Sequence, residues 1–163
     1  MSTPSIDSTS SPSSVITQRE IKAFIDAALC YFEKVTSEPA EYGEASIYFD
    51  QPPVLDYTGL VKISGACNGF VYVTLPGGML TKMMESIGEM NPGDEGLLDF
   101  AGEIANTVSS NVRQTFGSSF NVSTPSALNA LSAAGLACSC ASFVLPIVWR
   151  GLNAFIVIAL KPN

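Results

Sequence analysis

The sequence predicts an α+β fold, with helices packed on one face of a mostly antiparallel sheet. Three observations lead there. Segments with helical apolar spacing are interspersed with strand-like runs. The strand-like runs fall close enough together to form hairpins. The order is helix, three strands, helix, long helix, then three or four strands, not a strict strand–helix alternation. Two sections each pair strands with a helix, which suggests a weak internal pseudo-duplication.

Residues 1–16 are rich in Ser, Thr and Pro with little apolar content, and are expected to form a disordered tail. One domain is expected over 17–163. Thr17 with Glu20 three residues on forms a capping-box pattern, and a helix should follow to about Ser37. Its apolar residues Ile21, Phe24, Ile25, Ala28, Leu29, Phe32 and Val35 recur at helical spacing, and Pro39 lies beyond its end. Ala45–Phe49 is expected to be a short strand. Tyr57–Ser64 and Phe70–Leu75 should form two strands joined around Gly65–Gly69. Pro76–Gly77–Gly78 then starts a helix through about Ile87. A glycine-rich turn before a helix can cradle phosphate, but neither a P-loop lysine nor a GxGxxG pattern is present, so the segment is taken as a tight turn.

The next helix should run from about Asp94 to Phe116. Asp94 and Glu95 suit its N-terminus, and Gly117 suits its C-terminal cap. Its apolar residues Leu97, Leu98, Ala101, Ile104, Ala105, Val108 and Val112 fall on one side at about 100° per residue. Asp99, Glu103, Asn106, Ser110 and Arg113 fall on the other, within roughly 80° of one another. Burial of the apolar side accounts for the helix, so the polar stripe is available for another task. A carboxylate and a carboxamide one turn apart can grip a cation and orient a water. Beyond this helix come a strand near Ser119–Thr124, a break at Pro125, and a strand-like run from Cys138 to Trp149. Arg150–Asn153 is expected to be a turn, and Ala154–Leu160 to close a hairpin.

Composition excludes several functions. Eight basic residues face fifteen acidic ones, and the net charge of −7 argues against nucleic acid and anionic membranes as partners. The absence of histidine excludes Ser-His-Asp and Cys-His catalysis and any His-ligated metal. Cys30, Cys67, Cys138 and Cys140 match no zinc spacing, so no metal site is expected. They are taken as small buried hydrophobes in a reducing cytosol. No membrane span or signal peptide is evident, and a cytoplasmic protein is expected.

Asp99, Glu103 and Asn106 form an Asp-xxx-Glu-xx-Asn pattern that resembles the signature of the CheC/CheX/FliY phosphatases of bacterial chemotaxis. The Gly-Glu-Ile-Ala-Asn run at 102–106, Asn111, Pro125 after the motif helix, and the closing segments Val144–Pro146 and Gly151–Phe155 are similar to CheX relatives. So is the upstream hairpin, Tyr57–Gly65 and Gly69–Thr74. The resemblance covers about residues 17–162. A single motif on the long central helix looks like CheX, because CheC-like members typically carry two.

The resemblance implies a CheC-like fold and a phosphatase that acts on a phosphorylated CheY-type receiver domain in two-component signalling. The receiver would supply Mg²⁺ and a lysine to balance charge on the phosphoryl group, so no cofactor of the chain's own is expected. Asn106 would hold the attacking water in line with the P–O bond, and Glu103 would pair with the receiver lysine. Asp99 would orient the partner or Glu103, or else be a solvated helix residue. Ser110 and Arg113 are candidates for the docking rim, or solvated. CheX relatives are homodimers whose sheets associate. If that carries over, the apolar strands Ser142–Trp149 and Ala154–Leu160 are candidates to pair across chains; otherwise they are central strands of a monomer. Trp149, Phe143 and Phe155 are assigned to core or interface.

Two readings of other classes remain. The chain could be a non-catalytic module that docks a receiver or joins a signalling or flagellar complex. It could also be a small-molecule sensor, although no cluster of buried polar residues marks a pocket.

Overall fold

The computed structural model describes residues 16–134, 136 and 141–162. Five helices and eight strands occur among the described residues. Helix α1 spans Gln18–Thr36, α2 Gly77–Ser86, α3 Asp94–Asn111, α4 Arg113–Phe116 and α5 Ala130–Ala133. The strands are β1 Glu41–Tyr42, β2 Ser46–Tyr48, β3 Tyr57–Gly65, β4 Cys67–Leu75, β5 Phe120–Val122, β6 Ser126–Asn129, β7 Ser142–Trp149 and β8 Leu152–Pro162.

All the strand pairs are antiparallel and form one sheet in the order β1–β7–β8–β4–β3–β5. Beside this path, β2 lies along β7 and β6 along β3. The α+β expectation therefore holds, and the duplication has a concrete form. A helix, two short strands and a long hairpin occur in that order from α1 to β4. The same series recurs from α3 to β8, with α4 and α5 added. Each pair of short strands borders the hairpin of the other half: β1 and β2 pair with β7, while β5 and β6 pair with β3.

Strand alternation decides which side chains meet the helices. Val61, Ile63, Val71, Val73, Leu75, Leu145, Ile147, Trp149, Ile156 and Ile158 join Phe24, Phe32, Met79, Leu80, Met83, Ala101, Ile104 and Val108 in the main core. The intervening positions Leu60, Tyr72, Val144 and Val157 form a smaller cluster on the opposite face, against Val54 and Leu136. Helices α1, α2 and α3 thus cover one face of the sheet.

The first helix matches its sequence signature. Thr17 accepts from the Glu20 amide at 3.1 Å, and Glu20 accepts from the Thr17 amide at 2.9 Å. Residues 1–15 lie outside the described residues; Ile16 is buried in the core. The turn after β7 is tighter than expected. Arg150 and Gly151 both have positive φ, 52° and 75°, and Trp149 pairs directly with Leu152. This is the two-residue hairpin whose twist matches the strands, and it leaves Leu152 and Asn153 inside β8. Gly117 ends the helical region as expected, at φ 102°.

Several expectations need correction. The long helix breaks at Val112 instead of running unbroken to Phe116. Both Thr115 and Phe116 donate to the Val112 carbonyl, which tightens the last turn and brings the Phe116 ring 4.4 Å from Phe120 and 6.1 Å from Phe24. Strands β1 and β6 and helix α5 were missed, because each is too short to show a period. Strand β7 begins at Ser142; Cys138 and Cys140 lie outside the described residues. Cys67 is buried and its thiol is pushed up by burial, as for a small hydrophobe, but Cys30 is exposed on α1.

The strands named as candidates for pairing across chains have no free edge. Strand β8 lies between β7 and β4, and β7 is covered by β1 and β2. Trp149 is core, 1 % exposed. One edge of the sheet is β1–β2, where Gly43, Glu44 and Ala45 face only Leu145 and Pro146 across the ladder; the other is β5–β6, beside β3. The Pro146 carbonyl accepts from Gly43 at 3.0 Å, so its missing N–H points toward this edge, and the mismatch accommodates it there.

Candidate functional site

Helix α3 lies directly on β3. Gly59 faces it, and a Cβ at Gly59 would stand 2.0 Å from the Ala101 carbonyl oxygen. With Ala101, Ile104, Ala105 and Val108 turned into the core, the opposite side of α3 faces out. There Asp99, Glu103 and Ser110 are exposed and Asn106 is half-buried. Glu103 and Asn106 are about 4.5 Å apart along the helix axis, one turn. Arg113 is exposed at the start of α4, past the break. The structure therefore gathers Asp99, Glu103, Asn106 and Ser110 on one outward strip, with Arg113 beyond its C-terminal end.

Glu95 is also exposed, and at 100° per residue it shares this strip. It lies four residues before Asp99, but its position in the first turn drew attention only to the helix dipole. The strip runs from carboxylates at the N-terminal end through an amide and a hydroxyl to a guanidinium. Among the described residues, no hydrogen bond or ion pair within the chain ties down the side chains of Glu103 or Asn106.

Two neighbours flank the strip. On one side is Tyr31 of α1, with its ring 6.5 Å from Phe100. Burial, and secondarily the charge of Glu103, hold the Tyr31 phenol well above the usual tyrosine range. On the other side Pro125 covers Gly102, where a Cβ would come 3.5 Å from the proline Cβ. The proline after the motif helix thus lies across the residue before Glu103. Asn111 does not join the strip. It lines a separate groove of about 440 Å³ between α1 and the end of α3, with Cys30, Lys34 and Gln114.

The glycine-rich start of α2 serves a structural contact. The Gly77 amide donates to Asp56 at 2.8 Å, so a carboxylate occupies the place a phosphate would need. A groove of about 420 Å³ nearby is lined by Asp56, Tyr57, Asp94, Asn129 and Leu131. Among the described residues no group of three or more His, Cys, Asp or Glu is placed to hold a metal ion, and no helix is long and apolar enough to cross a membrane.

The fold is shared with solved structures. The chemotaxis protein CheX from Vibrio vulnificus superposes with a TM-score of 0.74 at 22% identity, covering 88% of this chain and 99% of that one. A CheC-like superfamily protein from Shewanella sp. PV-4 gives 0.76 at 19% identity, covering 90% and 99%. CheX from Borrelia burgdorferi, in a CheX–CheY–BeF₃–Mg²⁺ complex, gives 0.70 at 15% identity, covering 87% and 97%. At such identities the likeness is one of fold. No curated protein matches the chain. The family model described as chemotaxis phosphatase CheX matches residues 57–147, more than half of the 163. That span contains β3, β4, the whole of α3 and its outward strip, and on this evidence the chain belongs to the CheX family of chemotaxis phosphatases.

Proposed function

We propose that this protein removes the phosphoryl group from the aspartate of a CheY-type receiver domain, in the cytoplasm, with Glu103 and Asn106 as the working pair. The observation that carries the reading is their placement. They lie one turn apart on the outward strip of the helix within the family match, with no internal bond to break before a partner is engaged.

An acyl phosphate is already reactive, and the receiver contributes Mg²⁺ and a lysine of its own. What it lacks is a water held in line. The Asn106 carboxamide both donates and accepts, so it can fix a water opposite the P–O bond. The water adds to phosphorus as the bond to the aspartyl oxygen breaks, releasing inorganic phosphate and the free carboxylate. The Glu103 carboxylate pairs with the receiver lysine and sets the register of docking. Asp99, Ser110 and Arg113 form the contact surface around the pair. Neither a histidine base nor a covalent enzyme intermediate is required, in keeping with a chain that has no histidine.

The test is the decay of phosphorylated CheY from the same organism, with and without catalytic amounts of the protein. Faster decay supports the reading. Tight binding with unchanged decay would replace it with a non-catalytic docking module.

A homodimer is also proposed, formed at the β1–β2 edge. Tyr42, Ile47, Tyr48 and Phe49 are exposed there, and Phe49 is 82 % exposed. An apolar sheet edge of this kind invites a second strand. Sedimentation of wild type and Ile47→Lys tests it: a dimer that becomes a monomer supports the proposal, and a wild-type monomer removes it.

A further inference from the structure

The large apolar side chains left exposed among the described residues fall in two places. Tyr42, Ile47, Tyr48 and Phe49 belong to the β1–β2 edge. Ile87, Met90 and Leu131, which are 51 %, 66 % and 86 % exposed, lie around the N-terminal end of α3. Ile87 and Met90 reach it through the turn that follows α2. The Ile87 and Glu89 amides both donate to the Met84 carbonyl, at 3.1 and 2.9 Å, which closes the turn on α2. Met84 Cε and Pro92 Cβ each lie 3.9 Å from where a Cβ on Gly96 would stand, so the turn also rests on α3. Leu131 approaches from the other side, where it shares a groove with Asp94 and Asn129. Asp94 and Gly96 point about 200° apart around α3. The two apolar groups therefore flank the same end of the helix, with the outward strip beginning between them at Glu95 and Asp99.

Exposed apolar groups rimmed by charge mark interaction sites. Residues 85–99 hold five carboxylates, Glu85, Glu89, Asp94, Glu95 and Asp99, and neither lysine nor arginine. A partner that covers the apolar residues must bring cations of its own. A second copy related by a twofold axis at this end would set the same carboxylates against one another, which disfavours it. The receiver is the occupant that fits. Glu95 is about 12 Å from Glu103 along the helix. A protein–protein contact of ordinary size is about 30 Å across on each partner. A receiver whose lysine meets Glu103 therefore extends over this end of the strip.

We propose that Ile87 and Met90 on one flank and Leu131 on the other form an apolar clamp that holds the receiver domain over Glu95 and Asp99. The proposal rests on the reading of the strip as the docking surface. The receiver face that fits carries apolar side chains beside basic ones. The hydrogen-bonded turn keeps Ile87 in place before docking, and the unbranched Met90 side chain adapts to the partner's surface. The clamp acts on binding, since the water is held by Asn106.

Met90→Ser, Leu131→Ser and the double variant test this. Both side chains are exposed, so the variants should keep the wild-type Tm. CheY from the same organism, carrying BeF₃⁻ and Mg²⁺, is the binding probe, and decay of phosphorylated CheY gives KM and kcat. Each single variant should weaken binding and raise KM about fivefold, the double variant more, with kcat changed by less than about twofold. Glu103→Gln is titrated in parallel. Wild-type affinity in the double variant, alongside weakened Glu103→Gln, would overturn the clamp and leave the docking strip intact. Wild-type affinity with a lower sedimentation coefficient would assign the patch to a second copy and overturn it too. No binding of CheY by the wild type would remove both the clamp and the reading on which it rests.

Discussion

Gly59 on β3 and Ala101 on α3 are in backbone contact: a single added carbon on Gly59 would stand 2.0 Å from the Ala101 carbonyl oxygen and 2.8 Å from the Gly102 Cα. The next residues of α3 are Glu103 and, one turn on, Asn106. The seat of the helix on the sheet therefore fixes the height of the proposed working pair. Gly59→Ala would push backbone against backbone, which no rotamer change relieves. It should lower stability by about 1–3 kcal/mol or more, read as a fall in the urea midpoint, and should reduce phosphatase activity through displacement of α3.

Asn106→Ala and Glu103→Ala should separate chemistry from docking. Asn106→Ala should slow dephosphorylation by about a hundredfold or more through loss of the oriented water, with little change in affinity for CheY–BeF₃–Mg²⁺. Glu103→Ala should lower affinity as well as rate. Single-turnover decay and titration of the same variants check both. Equal rates for Asn106→Ala and wild type would remove that residue from the mechanism.

The end of α1 is tied to the β7–β8 turn by a two-pronged ion pair. Arg150 donates from Nε to Glu38 at 3.0 Å and from Nη2 to the second carboxylate oxygen, while its guanidinium lies 4.5 Å over the Trp149 ring. The hydrogen bond from Arg150 holds the Glu38 carboxyl below its ordinary 4.5. A depressed carboxyl contributes stability above the ordinary value and loses it as pH falls through the folded one. Glu38→Gln should therefore lower Tm slightly at pH 7. The difference should shrink at high salt and vanish on acidification below 4.5, because the pair is exposed. Thermal scans of both proteins from pH 7 to 2 would show it.

Tyr57, the first residue of β3, donates its phenol to Asp94, the first residue of α3. This hydrogen bond is the main cause holding the phenol above its ordinary 10.0, followed by burial. A raised phenol contributes stability that is complete below the ordinary value and lost as pH rises through the folded one. Tyr57→Phe should fray the start of α3, visible as faster amide exchange in its first turn at neutral pH. The gap to wild type should close in strongly alkaline solution. Unchanged exchange would mean that the strand–helix contact at Gly59 alone anchors this end.

What the sequence determined by itself was local. The capping box at Thr17 and Glu20, the periods of α1 and α3, and the alternation of the long strands are written in neighbouring residues, so they read correctly. The outward strip was legible for the same reason, because helical angle follows from residue number alone. Tertiary structure decided the rest. The period of α3 runs on through Val112, yet the helix breaks there, where Phe116 packs against Phe24 and Phe120. No local signal says that β7 and β8 lie inside the sheet while β1 and β2 form one of its edges, since strand order depends on pairings between distant residues. Tyr31 is 69 positions from Phe100 and has no motif to announce it; only the antiparallel packing of α1 on α3 sets its ring 6.5 Å from that of Phe100.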